Sequence, residues 1–301
     1  MNWKVRVPCS TANLGSGFDV LGLALQMHLE VEVTQQETGG LTIVNKGEGA
    51  EELPTDETNM IYKLVSLYAG DKLPKNVRFE ITNGIPLTRG YGSSAAATVA
   101  GVALGQWIAG GEIPGKQLVL NAAAKEEGHP DNVAPSVLGG LTISAMQDGE
   151  VLSGQFPWPE GVHITAIIPA YEMSTQAARR ALPEKVPYGD AIFNLQRFGI
   201  LLSGLFLGKK DWLKFGVNDR LHQDYRFPLL PGMKEAVDTL NEQPDCLGSF
   251  ISGAGPGAIA LANGNGHKLG EMAVKCFEEA GFEATFRMLA VDTDGLQFLS
   301  A

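Results

Sequence analysis

The stretch "PLTRGYGSSAAATVAGVALGQWIAG", Pro86 to Gly110, runs from a polar turn with two glycines into a pair of serines and a long string of small apolar residues. It predicts a helix from Ser93 to about Ala109. A helix start leaves backbone N–H groups without internal partners, and its dipole gathers partial positive charge there. Gly90 and Gly92 let the backbone approach a ligand closely, and Ser93 or Ser94 can cap the helix or ligate a metal. Those are the parts of a phosphate cradle. The same letters also fit a capped helix that packs its alanines in a core.

On the N-terminal side, "WKVRVPC", "HLEVEVT" (His28 to Thr34) and "NVRFEITN" (Asn76 to Asn83) alternate apolar and polar residues, the period of half-buried strands. On the C-terminal side a second helix is predicted from Gly115 to about Glu127, then a strand from Leu141 to Met146. The proline-rich "FPWPEG" (Phe156 to Gly161) marks a boundary. Beyond it come an apolar strand, "VHITAIIP", and helices around 175–181, 188–207 and 232–241. A strand–glycine turn–strand unit (Gly248 to Ala262), a helix (His267 to Ala280) and a closing strand, "EATFRMLAV", complete the chain. Strands and helices mix without regular βαβ alternation, so the expected fold class is α+β. Two domains are expected, residues 1–158 and 159–301. No repeat at solenoid spacing and no low-complexity run interrupts this order.

A hydrophobic content of 44% in 301 residues supplies a sizeable core. The net charge of −11 argues against sequence-independent nucleic-acid binding, which needs Lys and Arg to neutralise phosphates. Cys9, Cys246 and Cys276 lie far apart and form no metal-type pair, as befits a reducing compartment. "MNWKVRVPCST" has no long apolar run, so no signal peptide is expected. The segment from Ser93 to Ala109, read here as the most apolar helix, is too short for a membrane span. The expectation is a cytoplasmic protein with no nucleic-acid and no membrane partner; a homodimer is compatible with the sequence.

Four stretches are too polar or too glycine-rich for simple core segments. "PCSTANLGSGFDVLG" (Pro8 to Gly22) sets Asn13 and Asp19 around a Gly15–Gly17 turn. The second is the opening stretch. "KEEGHPDNVAPSVLGG" (Lys125 to Gly140) packs two glutamates, His129, Asp131 and Asn132 together, a density of titratable groups typical of sites. "SGAGPGAIAL" (Ser252 to Leu261) is a second glycine-rich turn. Ordinary turns and a solvated helix end would use the same residues. No GxxxxGK[ST], GxGxxG after a strand, HExxH or GxSxG is present, so a phosphate site here follows another design.

In this order the four blocks resemble the GHMP kinase superfamily. "PLTRGYGSSAA" (Pro86 to Ala96) matches the family pattern P-x(3)-G-L-G-S-S-A-A, with Tyr91 in place of leucine, and "SGAGP" (Ser252 to Pro256) matches another. "STANLGSGFDVLGLAL" and "EGHPDNVAPSVLGG" point to the homoserine-kinase branch. The resemblance implies an N-terminal domain like domain 2 of ribosomal protein S5, a ferredoxin-like C-terminal domain, and an active site between them. It implies ATP and Mg²⁺ as cofactors, L-homoserine as the small-molecule substrate, and a place in threonine biosynthesis.

Residue by residue, the resemblance implies that the cofactor is held by Pro86, Leu87, Thr88, Arg89, Gly90, Tyr91, Gly92, Ser93, Ser94, Ala95 and Ala96, with Gly253 and Gly255. Asn59 joins them as a candidate that serves equally well as a helix-entry residue. Ser94 and Glu127 would hold Mg²⁺, with Glu126 as the alternative glutamate; Ser93 would cap the helix or touch a phosphate. Asp19 suits the ammonium of homoserine, and Asn13, His129, Asn132 and Thr175 line its pocket. Arg179 and Arg226 would take the carboxylate, because a planar guanidinium matches it in bidentate fashion. Asn132, Glu127 and Ser94 form the expected catalytic set. Asn132 stands where some relatives carry an aspartate base, and an amide takes no proton at neutral pH. Transfer would then proceed by alignment and charge stabilisation, with Asp131 as the alternative base.

Overall fold

The computed structural model describes residues 1–299. The first half holds β1 (Asn2–Ala12), β2 (Leu21–Gln35), β3 (Leu41–Gly47), α1 (Met60–Ala69), β4 (Val77–Asn83) and α2 (Ser93–Gly110). It continues through α3 (Lys116–Glu127), α4 (Val133–Leu138), β5 (Leu141–Gln147) and β6 (Glu150–Phe156). The second half opens with β7 (Val162–Pro169) and α5 (Thr175–Arg180). The long α6 (Tyr188–Leu207) follows, then two single turns, α7 (Leu213–Gly216) and α8 (Gln223–Arg226). After them come α9 (Met233–Glu242), β8 (Cys246–Ile251), β9 (Ala258–Asn263), α10 (His267–Glu279), β10 (Ala284–Leu289) and β11 (Gln297–Leu299).

Two sheets result. The larger runs β11-β1-β2-β4-β3, with β5 against the start of β2 and β6 outside β5; the smaller is antiparallel, β10-β7-β9-β8. The pairing of β1 with β2 slips between Pro8↔His28 and Cys9↔Leu25. A bulge of this kind bends a strand, and it lets one half of β2 pair with β4 and the other with β5. The result is a fold of mixed α and β content built on two sheets. The halves are not sealed from each other. One hydrophobic core takes Val31 and Phe79 from the large sheet, Val99 from α2, and Phe250 and Ile259 from the small sheet. β11 also crosses back to pair with β1.

α2 is the central helix, and its small residues explain its position. A Cβ on Gly101 would collide with Leu64, and one on Gly105 with Tyr68, so these glycines let α1 lie directly on α2. The helix begins on Gly92, which has a left-handed φ of 66° and supplies no side-chain cap. Ser93 therefore sits inside the first turn, where the sequence had offered it as a cap.

Candidate active site

Between the two sheets lies a cleft of about 730 Å³. The candidate site residues from the sequence line it except Pro86, which faces a smaller depression, Ala96, which is buried in the α2 core, and Glu126. The floor is the turn from Leu87 to Ser94. Gly90 (φ 78°) and Gly92 (φ 66°) take conformations costly for other residues. A side chain on Gly90 would strike Ser252 O, and one on Gly92 would strike Ser10 Oγ.

Neighbours on three sides brace the turn. Ser252 Oγ donates to Gly90 O (2.6 Å), and Arg89 donates to Pro169 O (2.9 Å) and Ala170 O (2.6 Å) at the end of β7. Tyr91 is fully buried, its hydroxyl 2.7 Å from Ile167 O and 3.0 Å from Ala258 O. The tyrosine that departs from the family pattern thus bolts the turn to the second sheet. The first turn of α2, free of any side-chain cap, presents its N–H groups at this rim.

A carboxylate and two hydroxyls converge beside the turn. Ser94 Oγ lies 2.9 Å and Thr98 Oγ1 2.6 Å from Glu127 Oε1. Glu126 turns away and accepts from the Tyr68 hydroxyl at 2.8 Å. Of the two glutamates, Glu127 is the one aimed at the helix start. Among the described residues no group of three or more His, Cys, Asp or Glu gathers as a metal cage. One carboxylate with hydroxyls suits a hard cation that takes its other ligands from water and phosphate. The residues therefore fit Mg²⁺. Thr98 was not singled out from sequence; it lies one helical turn beyond Ser94, which is the signal that could have found it.

The other end of the cleft is charged. Asp19, with a φ of 57°, meets Arg179 through two hydrogen bonds of 2.9 and 3.1 Å. This hydrogen bonding raises the Arg179 pKa. Arg226, on α8, is 3% exposed. Its Nη1 donates to Gly253 O (2.9 Å) and to His222 Nδ1 (3.1 Å), and its buried Nε has no partner. Burial, and then the neighbouring Arg179, lower its pKa to about 10. Among the described residues no carboxylate forms an ion pair with Arg226, so a buried cation faces the cleft unneutralised.

His222 must accept from Arg226 at Nδ1, so its proton sits on Nε2, which donates to Gly15 O (2.9 Å). Burial keeps that ring neutral by depressing its pKa. Asn13 accepts from Asp19 N (3.0 Å) and donates to Gly253 O (2.9 Å), tying the first loop to the second glycine turn.

His129 Nδ1 lies 2.7 Å from Asp131 Oδ1, and that hydrogen bond raises the His129 pKa. The same Asp131 oxygen accepts from Asn132 N (2.9 Å), while Asn132 Oδ1 accepts from Ser10 Oγ (3.0 Å). Asn59 is spent on α1: Oδ1 accepts from Ile61 N and Tyr62 N, and Nδ2 donates to Pro54 O. Beyond it the cleft is apolar, walled by Leu53, Pro54, Met60, Ile81 and Leu87. These come from four separate segments, and no local pattern announces them.

Comparison with known proteins agrees with this layout. The GHMP kinases N-terminal domain matches residues 59–140, and the GHMP kinases C-terminal model matches residues 202–277. The chain is 41% identical over 299 residues to a homoserine kinase of Microchaete diplosiphon, covering 98% of this chain and 97% of that one. It is 44% identical over 261 residues to a homoserine kinase of Thermus thermophilus, covering 86% of each. The crystal structure of a homoserine kinase from Cytophaga hutchinsonii superposes with a TM-score of 0.86 at 28% identity, over 99% of this chain and 97% of that one. The mevalonate kinase of L. major shares the fold alone, with a TM-score of 0.69 at 16% identity over 96% of each chain.

Proposed function

This chain belongs to the homoserine kinases of the GHMP kinase family, and on that premise we propose that it moves the γ-phosphoryl group of ATP to the side-chain hydroxyl of L-homoserine. The products are O-phospho-L-homoserine and ADP, on the route to threonine. The hydroxyl oxygen forms the new bond to γ-phosphorus, the bond from γ-phosphorus to the β–γ bridging oxygen breaks, and the hydroxyl proton is released to solvent water. The observation that carries this reading is Arg226: a buried guanidinium with no carboxylate of its own, beside the Asp19–Arg179 pair. A zwitterionic amino acid answers both features. Its carboxylate would take Arg226 and Arg179, and its ammonium would take Asp19. Until it arrives, Asp19 and Arg179 satisfy each other.

The triphosphate is placed on the turn Leu87–Ser94 and the N–H groups of α2, with the purine against Leu53, Pro54, Met60 and Leu87. Ser94 and Glu127 would hold Mg²⁺, which supplies charge neutralisation to the phosphates when bound. Asn13, Thr175 and His129 line the acceptor pocket. Asn132 cannot serve as a base, and Asp131 spends one oxygen on His129 and on the Asn132 N–H. Catalysis by orientation is sufficient here, because it contributes up to about 7–11 kcal/mol and phosphoryl transfer asks little of a base. Besides these small molecules, the partner we propose is a second copy of the chain, and the setting is the cytoplasm. The test is an ADP-release assay with Mg-ATP and a panel of small alcohols. Release dependent on L-homoserine is expected; release unaffected by it, or greater with mevalonate, would overturn the reading.

A further inference from the structure

Phe18 lines the acceptor end of the cleft, although neither a motif nor the ligand chemistry points to it. It stands between Gly17 and Asp19 in the first loop, and the chain on both sides of it is pinned. Ser16 O accepts from Asn194 of α6, Gly17 N donates to Asn13 O, and Asp19 N donates to Asn13 Oδ1. A Cβ on Gly17 would strike the side chain of Leu21. The phenyl ring is half-buried, so it is placed by this backbone more than by a core around it.

Three side chains of the acceptor end gather on that ring. His222 stacks on it, with ring centroids 4.9 Å apart and planes inclined by 21°. The guanidinium carbon of Arg226 lies 5.3 Å from the ring centroid and that of Arg179 lies 6.0 Å from it. Both fall within the reach of a cation–π contact, about 6 Å.

Converging guanidinium groups repel each other. Arg226 feels this: after burial, the nearby Arg179 is the next cause of its lowered pKa. A carboxylate would relieve the repulsion, but it would also occupy the N–H groups that a ligand's carboxylate needs. Arg179 is already engaged in that way by Asp19. An aromatic face acts differently. Its quadrupole attracts the cation, whereas a carboxylate is taken in the guanidinium plane, along the N–H edge. The phenyl ring thus steadies the charge without competing for the donors. Nη1 of Arg226 goes to His222 Nδ1 and Gly253 O, and among the described residues no hydrogen bond engages Nη2. His222 serves only as a neutral ring with Nδ1 toward Arg226. Stacking on Phe18 holds it there, together with the Nε2 bond to Gly15 O.

We propose that Phe18 is a positioning residue of the acceptor pocket, an aromatic platform that holds Arg226 beside Arg179 with its N–H edge open to a substrate carboxylate. The inference rests on the reading of this pocket as one for an amino acid. Phe18 takes no part in binding the ammonium, which falls to Asp19 one residue away. The two charged ends of the substrate should therefore respond differently to its loss.

The test uses Phe18→Leu, which keeps apolar bulk without a π-face, and Phe18→Tyr, which keeps the face. Phe18→Leu should raise the homoserine KM by about 10-fold, the worth of a partly desolvated cation–π contact, with kcat and the ATP KM within about 2-fold of the parent. Phe18→Tyr should restore the homoserine KM. Two analogues separate the ends: 4-hydroxybutanoate lacks the ammonium and 3-aminopropan-1-ol lacks the carboxylate. Their inhibition constants are read from the formation of O-phospho-L-homoserine. In Phe18→Leu the first should weaken as homoserine does, and the second should stay unchanged. An unchanged homoserine KM in Phe18→Leu, equal weakening of both analogues, or no recovery in Phe18→Tyr would each overturn the proposal, and equal weakening would make Phe18 a wall of the pocket only. A parent chain that forms no O-phospho-L-homoserine would instead overturn the reading of the site, and this proposal with it.

Discussion

Arg226 carries the sharpest residue-level expectation. If Arg226 holds the substrate carboxylate as proposed, its removal costs about 2–3 kcal/mol, so Arg226→Ala should raise the homoserine KM by about 30–150-fold and the ATP KM far less. Steady-state kinetics with each substrate varied checks the split; an equal effect on both would move Arg226 out of the acceptor pocket. Its neighbour His222 gives a pH signature. Burial lowers the His222 pKa from 6.5 to about 4 in the folded chain. A depressed folded value means the neutral ring's contribution to stability is fully present above about 6.5 and is lost as pH falls through about 4. Urea midpoints measured from pH 7 to 4 should therefore fall less steeply for His222→Gln than for the parent. Protonation of the folded ring would also strip Arg226 of its acceptor, so the homoserine KM should rise only as pH approaches about 4. These residue-scale features were only partly legible. Asp19, Arg179 and Arg226 were marked as candidates by the family resemblance. That Asp19 and Arg179 hold each other across 160 residues of chain could not be read, because no local pattern encodes a tertiary ion pair.

At the scale of elements, the start of α2 depends on backbone freedom at two glycines. Gly92→Ala forces a Cβ at φ 66° into Ser10 Oγ. A left-handed residue with a side chain costs about 1–2 kcal/mol by itself, and relief of the clash would swing the N–H groups off the phosphate path. Mg-ATP use should fall at least 10-fold, checked by kcat/KM for ATP, with thermal stability reduced by only a few degrees. Gly105→Leu acts differently. It drives a side chain into Tyr68 on α1 and should cost about 1–3 kcal/mol of stability by overpacking, seen as a lower urea midpoint with the substrate KM values kept. The long elements were legible because their periods are strong: β1, β4, α2, α3, α6 and β7 stand close to their expected limits. The expected strand from His28 to Thr34 proved to be the second half of β2, whose first half precedes the bulge opposite Pro8 and Cys9. β3, β6, α4, α7, α8 and β11 went unread, and α1 was offered only as a helix that Asn59 would enter; α4 and β11 are six and three residues long and are held by tertiary packing rather than by pattern.

For the whole molecule, the shared core and the return of β11 to β1 predict one cooperative transition, despite two sheets. Fluorescence and circular dichroism should trace a single urea curve, and residues 1–158 expressed alone should give a broad, non-cooperative one; two resolved transitions would show that the halves are independent. The cleft between the sheets was expected from the motifs, since its walls come from both halves. Its apolar end was not, because Leu53, Pro54, Met60 and Leu87 acquire a common purpose only once the chain has folded. One atom in this arrangement has a wider effect. The carbonyl of Gly253 accepts from Asn13 of the first loop and from Arg226 of α8, and its neighbour Ser252 grips the Gly90 carbonyl. The proposed acceptor pocket and phosphate floor thus hang from two adjacent residues, Ser252 and Gly253, so the amino acid and the nucleotide should report to one another. Calorimetric titration of either ligand in the presence of the other should reveal reciprocal cooperativity, the same factor in both orders of addition.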